Sequence, residues 1–197
     1  MRAPLGFVIL ALCVALLGCG SSQARGSYSD QGMVQRDIPR AQELYQQSRA
    51  QRDSGDFDDA ADLLRQALDA DLYHGPAHND LGVILLSEGR LYEAATEFEW
   101  ARKLMPGHPD PRVNLAVTLE RGFKHAEALE AAQAALEVRP GHLAAHQAIA
   151  IIQCRNNLVD ESTTEHLAVL VDRGPTDEWR RWAETWQLKI EGRQRQP

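Results

Sequence analysis

Apolar and polar positions along this chain recur with a period of 34 residues. Leu81, Leu115 and Ile149 stand one period apart, and so do His74, His108 and His142. The stretch from Gly75 to His108 carries the pattern most completely, as Leu81-Gly82, Leu85, Gly89, Leu91, Ala94, Phe98, Ala101 and Pro106. Apolar residues at i, i+3, i+4 and i+7 form one buried stripe of a helix. Two such stripes, parted by Gly89 and closed by Pro106, predict a helix, a tight turn, a second helix and a stop.

Three further copies are legible. Residues 41–74 keep Leu44, Gly55, Phe57, Ala60, Leu64 and Ala67, with Ser48 where Gly or Ala is expected. Residues 109–142 keep Leu115-Ala116, Leu119, Ala128, Ala135 and Pro140; the turn glycine there is read as Gly122, and Ala132 replaces a large residue. Residues 143–176 are degenerate, keeping Ile149-Ala150 but placing Asn157 at the turn and Ser162 at an alanine position. Gly82, Ala94, Ala116 and Ala128 are expected where paired helices cross, because longer side chains would push the axes apart. Gly55, Gly89 and Gly122 are expected to take positive φ just past a helix end. After Pro175, Thr176-Asp177-Glu178 reads as a helix start with acid in its first turn. Trp179, Trp182, Ala183, Trp186 and Ile190 then share one face, read as a cap over the last repeat, with a partner-binding aromatic patch as the alternative.

A helix-turn-helix unit of this period resembles the tetratricopeptide repeat. The resemblance implies an all-α fold: a right-handed solenoid of about four repeats over residues 39–176, with a capping helix and short tail at 177–197. One unit cannot bury its apolar face alone, so copies stack and present a concave surface. In this family the first helix of each repeat lines that surface. Carried over position by position, the implied partner-binding groove comprises Tyr45, Arg49, Arg52, Asn79, Val83, Leu86, Val113, Val117, Glu120, Gln147 and Ile151. Its centre is apolar, and the first repeat adds a Tyr and two Arg. Of the Lys/Asn/Arg set by which chaperone-binding members grip a terminal carboxylate, only Asn79 has a counterpart. The expected ligand is therefore an apolar or amphipathic peptide or helix, docked by its apolar face. The alternatives are that these valines pack between repeats, or that the tether or a second copy fills the groove.

The amino terminus adds location. Arg2 and an apolar run from Leu5 to Leu17 read as an export leader over residues 1–18, too short to span a membrane. It ends in Leu16-Leu17-Gly18-Cys19, which resembles the bacterial lipobox. That resemblance implies lipidation of Cys19 and anchoring through more than one acyl chain. Gly20 after the cysteine, rather than Asp, implies an outer-membrane lipoprotein facing the periplasm. Residues 19–38, rich in Ser, Gly and Gln, read as a lipidated tether, and Pro39 suits a first helical turn. Lipobox, tether and solenoid together resemble pilotin-type lipoproteins of type IV pilus and related secretion systems, and also lipoproteins that scaffold peptidoglycan enzymes. The resemblance implies a non-catalytic scaffold for an envelope machine. A structural lipoprotein that self-associates through its Trp face is the third reading.

Composition narrows the partners. The chain has 28 acidic and 21 basic residues, a net charge of −7. Without the leader, 20 basic residues face 28 acidic ones, a balance of −8. Nucleic-acid binding needs clustered Lys and Arg, and no basic stripe is present, so no nucleic-acid partner is expected. Cys13 departs with the leader and Cys19 carries lipid, which leaves Cys154 without an intramolecular partner. Beside Ile151 and Ile152 it reads as a small hydrophobe. His74/His78 and His142/His146 have chelating i, i+4 spacing. No Asp, Glu or Cys stands as a third ligand, and His74, His108 and His142 share one position at a turn, so no metal or cofactor is expected. His166 and Cys154 lack any signature of base and nucleophile, and Asp160 is placed to cap a helix. No catalytic residue is assigned, and the chain is read as not an enzyme.

Overall fold

A computed structural model describes residues 36–194, and among these every regular element is an α-helix. Cys19, the leader and most of the tether lie outside the described residues. Four helix pairs follow one another: α1 (Ile38–Ser54) with α2 (Phe57–Ala70), α3 (Gly75–Ser87) with α4 (Leu91–Leu104), α5 (Asp110–Arg121) with α6 (His125–Val138), and α7 (Leu143–Arg155) with α8 (Glu161–Arg173). A last helix, α9 (Asp177–Gln194), closes the series. Each helix packs on its sequence neighbours, and α3 meets α5 as α5 meets α7. Contact between successive first helices is what builds a solenoid with one face made of odd-numbered helices. No helix among the described residues is long and apolar enough to cross a membrane.

Helix boundaries follow local chemistry. The Asp37 carboxylate accepts from the Arg40 N–H at 3.1 Å, and Pro39 sits in the first turn of α1. His74 caps α3, its Nδ1 accepting from the Ala77 N–H at 3.1 Å. Asp160 and Thr163 form a reciprocal capping box on α8. Helices α4 and α6 stop at Leu104 and Val138, just short of Pro106 and Pro140. The Arg36 guanidinium grips Asp71 through two bonds, of 2.7 and 2.9 Å, and thereby holds the Asp71 carboxyl below its usual range. The start of α1 is thus tied to the turn after α2.

The core is three stacked clusters. The first joins the two leading pairs around Leu64, Leu81, Ile84, Leu85 and Phe98. The second joins the third pair to α7 around Val113, Ala116, Ala132, Ala148 and Ile149. The third lies against α9, where Leu167, Leu170, Ala183 and Ile190 are buried and Trp182 and Trp186 are half-buried. A Cβ built on Gly82 would lie 2.7 Å from Phe98 Cε1, so the ring occupies the space a side chain would take. One period on, that pairing is replaced by two fully buried alanines, Ala116 and Ala132.

One turn departs from expectation. Gly55 and Gly89 take positive φ, at 91° and 77°. Gly122 does not, with φ −83°. The left-handed residue of the third turn is Phe123, at φ 59°. Phe123 stands one period after Gly89, so the backbone kept its register while the glycine was displaced by one residue. Asn157, at φ 56°, fills the same place in the fourth pair, where asparagine is tolerated.

Candidate binding groove

The odd-numbered helices carry the positions expected to bind a partner, and they divide into a locked end and an open end. At the first end, Arg52 Nη1 pairs with Asp80 Oδ2 at 3.0 Å and the Tyr45 hydroxyl donates to the same oxygen at 3.3 Å. Burial, with the Asp80 charge second, pushes the Tyr45 hydroxyl above its usual range. Asn79 Nδ2 donates to Asp80 Oδ1 at 3.2 Å, and Asn79 Oδ1 accepts from Asn114 Nδ2 at 3.0 Å. Arg121 Nη1 donates to the Leu86 carbonyl at 3.2 Å. Tyr45, Arg52 and Asn79 therefore belong to a polar seam that stitches α1, α3 and α5 together. Arg49 stays exposed on α1.

The apolar centre is better exposed. Val83 is 42% accessible on α3, while Val117 and Ile151, each one period further, are half-buried. Val117, Glu120, Arg121, Ala148, Ile151 and Arg155 enclose a cavity of about 180 Å³ between α5 and α7. Ile151 and Arg155 also wall a second cavity of about 230 Å³, completed by Glu178, Trp179 and Trp182 of α9. The two hollows share a wall and form a strip from Val117 to the tryptophans. Trp179 and Trp182 meet edge to face at 5.4 Å. The Trp face thus packs on the last repeat and also walls the second hollow.

Three expected groove positions fall elsewhere or contribute little. Val113 is only 7% exposed and packs inward with Ala116, Ala132 and Ala135, filling space those small residues leave. Leu86 is half-buried against the first core cluster. Gln147 is half-buried on α7 but lines neither cavity. The sequence reading missed Asp80, Asn114 and Ala148 as one set. They share a repeat position with Trp182, each 34 residues from the next, and that spacing was the available signal.

His74, His78, His146 and His166 are spent on structure. Besides capping α3, His74 donates from Nε2 to Gln42 Oε1 at 3.1 Å, and burial holds its pKa below the usual range. His78 Nε2 donates to the Leu72 carbonyl at 2.8 Å, while its Nδ1 lies 2.6 Å from Glu97. His146 Nε2 donates to the Pro140 carbonyl at 2.9 Å, which leaves its Nδ1 to accept from His166 Nδ1 at 2.8 Å. His142 Nε2 lies 3.1 Å from Asp110, so the two rings of each i, i+4 pair face different partners. Cys154 is buried, and burial pushes its thiol up to about 11, which keeps it protonated and unreactive at neutral pH.

Comparisons with known proteins follow the same architecture. The crystal structure of YrrB, described as a TPR protein with an unusual peptide-binding site, superposes with a TM-score of 0.63 at 21% identity, over 76% of this chain and 76% of that one. MamA from Desulfovibrio magneticus RS-1 gives a TM-score of 0.61 at 20% identity, over 67% and 74%. The first TPR of Spaghetti (RPAP3), bound to an HSP90 peptide, gives 0.60 at 18% identity, over 64% and 99%. These likenesses are of fold. No curated protein sequence gives a significant match. A family model described as Tetratricopeptide repeat matches residues 45–109 and 113–178. With more than half of its length matched in this way, the chain belongs to the tetratricopeptide repeat family.

Proposed function

We propose that this protein is a lipid-anchored, non-catalytic scaffold of the bacterial envelope that holds an apolar or amphipathic segment of a partner protein. The observation that carries the reading is the strip from Val117 through Ile151 to Trp179 and Trp182, two cavities with a common wall on the odd-numbered helices. Side chains on a rigid helical face hold a bound helix by its apolar stripe without reorganising first. Val83, exposed beside the strip, lengthens it toward α3. Leu16-Leu17-Gly18-Cys19 supports the anchor. The envelope machine is of pilus or secretion type, on the resemblance of the whole arrangement to pilotin-type lipoproteins.

The test is in-cell crosslinking and purification of the wild type beside a Val83→Glu, Val117→Glu double variant and a Cys19→Ser variant. The reading expects one set of envelope partners from the wild type, its loss from the double variant, and loss of membrane retention from Cys19→Ser. Recovery of the same partners by the folded double variant would contradict the groove. Recovery of peptidoglycan enzymes in place of pilus or secretion subunits would move the pathway and keep the groove.

A further inference from the structure

The turn of the third helix pair carries a side chain that the fold does not use. Phe123 sits at φ 59°, where the equivalent residues of the other turns are Gly55, Gly89 and Asn157. Bulky residues resist that conformation, and strain kept at an exposed site points to use. The ring is 84% exposed, and it approaches His125 only edge-on, at 6.2 Å. Beside it, on the side of the even-numbered helices, opens a cavity of about 410 Å³ walled by Leu91, Ala95, Leu115 and Leu119. Gly122 and Lys124, the neighbours of Phe123, form one lip, and Tyr92, 86% exposed, stands at another. An unsupported aromatic side chain therefore borders an apolar hollow that it does not fill.

We propose that this face joins two copies of the chain about a two-fold axis, with Phe123 of each copy entering the cavity of the other. The placement of knob beside hole on one surface is what a self-complementary contact requires, since each copy gives and receives the same group. The charges around the hollow also suit a second copy. Glu99 and Glu127 on its walls are paired within the chain with Arg102 and Lys124, so the patch is near neutral, whereas the whole chain carries −7. Two copies meeting at this balanced patch avoid their net repulsion. This surface lies apart from the Val117–Trp182 strip, so pairing leaves the proposed groove open.

Sedimentation velocity of the purified full chain, as wild type and as Phe123→Gly, tests the proposal. Glycine suits the left-handed turn, so circular dichroism and the thermal midpoint should show a fold at least as stable as the wild type. The wild type should form a concentration-dependent dimer, and Phe123→Gly should weaken it at least tenfold. A wild type that stays monomeric up to about 100 µM overturns the proposal, because a weak specific interface would have formed by then. A dimer left intact in Phe123→Gly overturns it too. Flotation of a monomeric wild type with phosphatidylethanolamine vesicles, lost in Phe123→Gly, would assign the face to a membrane and overturn pairing.

Discussion

Gly82 has room for a hydrogen and no more. Alanine there would set its Cβ 2.7 Å from Phe98 Cε1, in a ring that is fully buried and cannot step aside. Overpacking of this kind costs about 1–3 kcal/mol, so urea denaturation should place Gly82→Ala well below the wild type. Gly107→Ala, whose Cβ meets nothing within 4 Å, is the control and should be near neutral. Phe123→Gly should act in the opposite sense. Relief of a left-handed phenylalanine is worth about 1 kcal/mol, read as a raised denaturation midpoint at concentrations where the chain is monomeric. His74 and His166 set a pH dependence. Burial, the first cause in both, holds their pKa values below the ordinary 6.5, and the His146 ring adds to the shift at His166. As pH falls through about 6.5 the unfolded chain takes up protons that the folded chain resists, so stability declines with falling pH. Denaturation midpoints at pH 7.5 and 5.5 should differ in that direction, and equal midpoints would contradict the assignment.

Helices were legible because their period is long, repeated and punctuated. The small–large alternation at Gly82 and Phe98, the stops before Pro106 and Pro140, and the cap at Asp160 are all local signals. Asp160→Ala should remove the capping bonds of α8 and cost about 1 kcal/mol, measurable as a lower thermal midpoint. The direction in which individual side chains face was less legible. Val113 shares its repeat position with Tyr45, Asn79 and Gln147, yet it turns inward because Ala132 and Ala135 leave room and valine gains by burial. The polar seam was illegible because it needs partners from different helices: Arg52 reaches Asp80 across 28 residues of chain. Gly122 misleads because glycine alone does not mark the left-handed residue; the register of the repeat assigns that place to Phe123. Helix α9 shows packing and exposure on one element. Trp186→Ala should remove part of the cover over Leu167 and Leu170. A half-buried tryptophan is worth about 1–3 kcal/mol, and the loss should appear as earlier unfolding of α8 and α9 in hydrogen exchange.

At the scale of the whole molecule, stacked pairs give three core clusters and two kinds of surface. The odd-numbered helices are locked at the first end by Asp80 and open toward α9, so any partner held there meets Val117, Ile151 and the tryptophans before it meets Tyr45 or Arg52. Arg155 stands between the two hollows, and with Glu120, Arg121 and Glu178 it sets charges of both signs among their apolar walls. The most direct measurement is in-cell photocrosslinking from a photoreactive residue placed at Val117, beside the same residue placed at Leu188, which is 69% exposed on α9. The account predicts adducts with a second protein from position 117, none with that protein from position 188, and loss of the adducts when Ile151→Glu is added to a chain that still folds. Adducts that survive Ile151→Glu, or that form only from position 188, would contradict a partner seated in the groove.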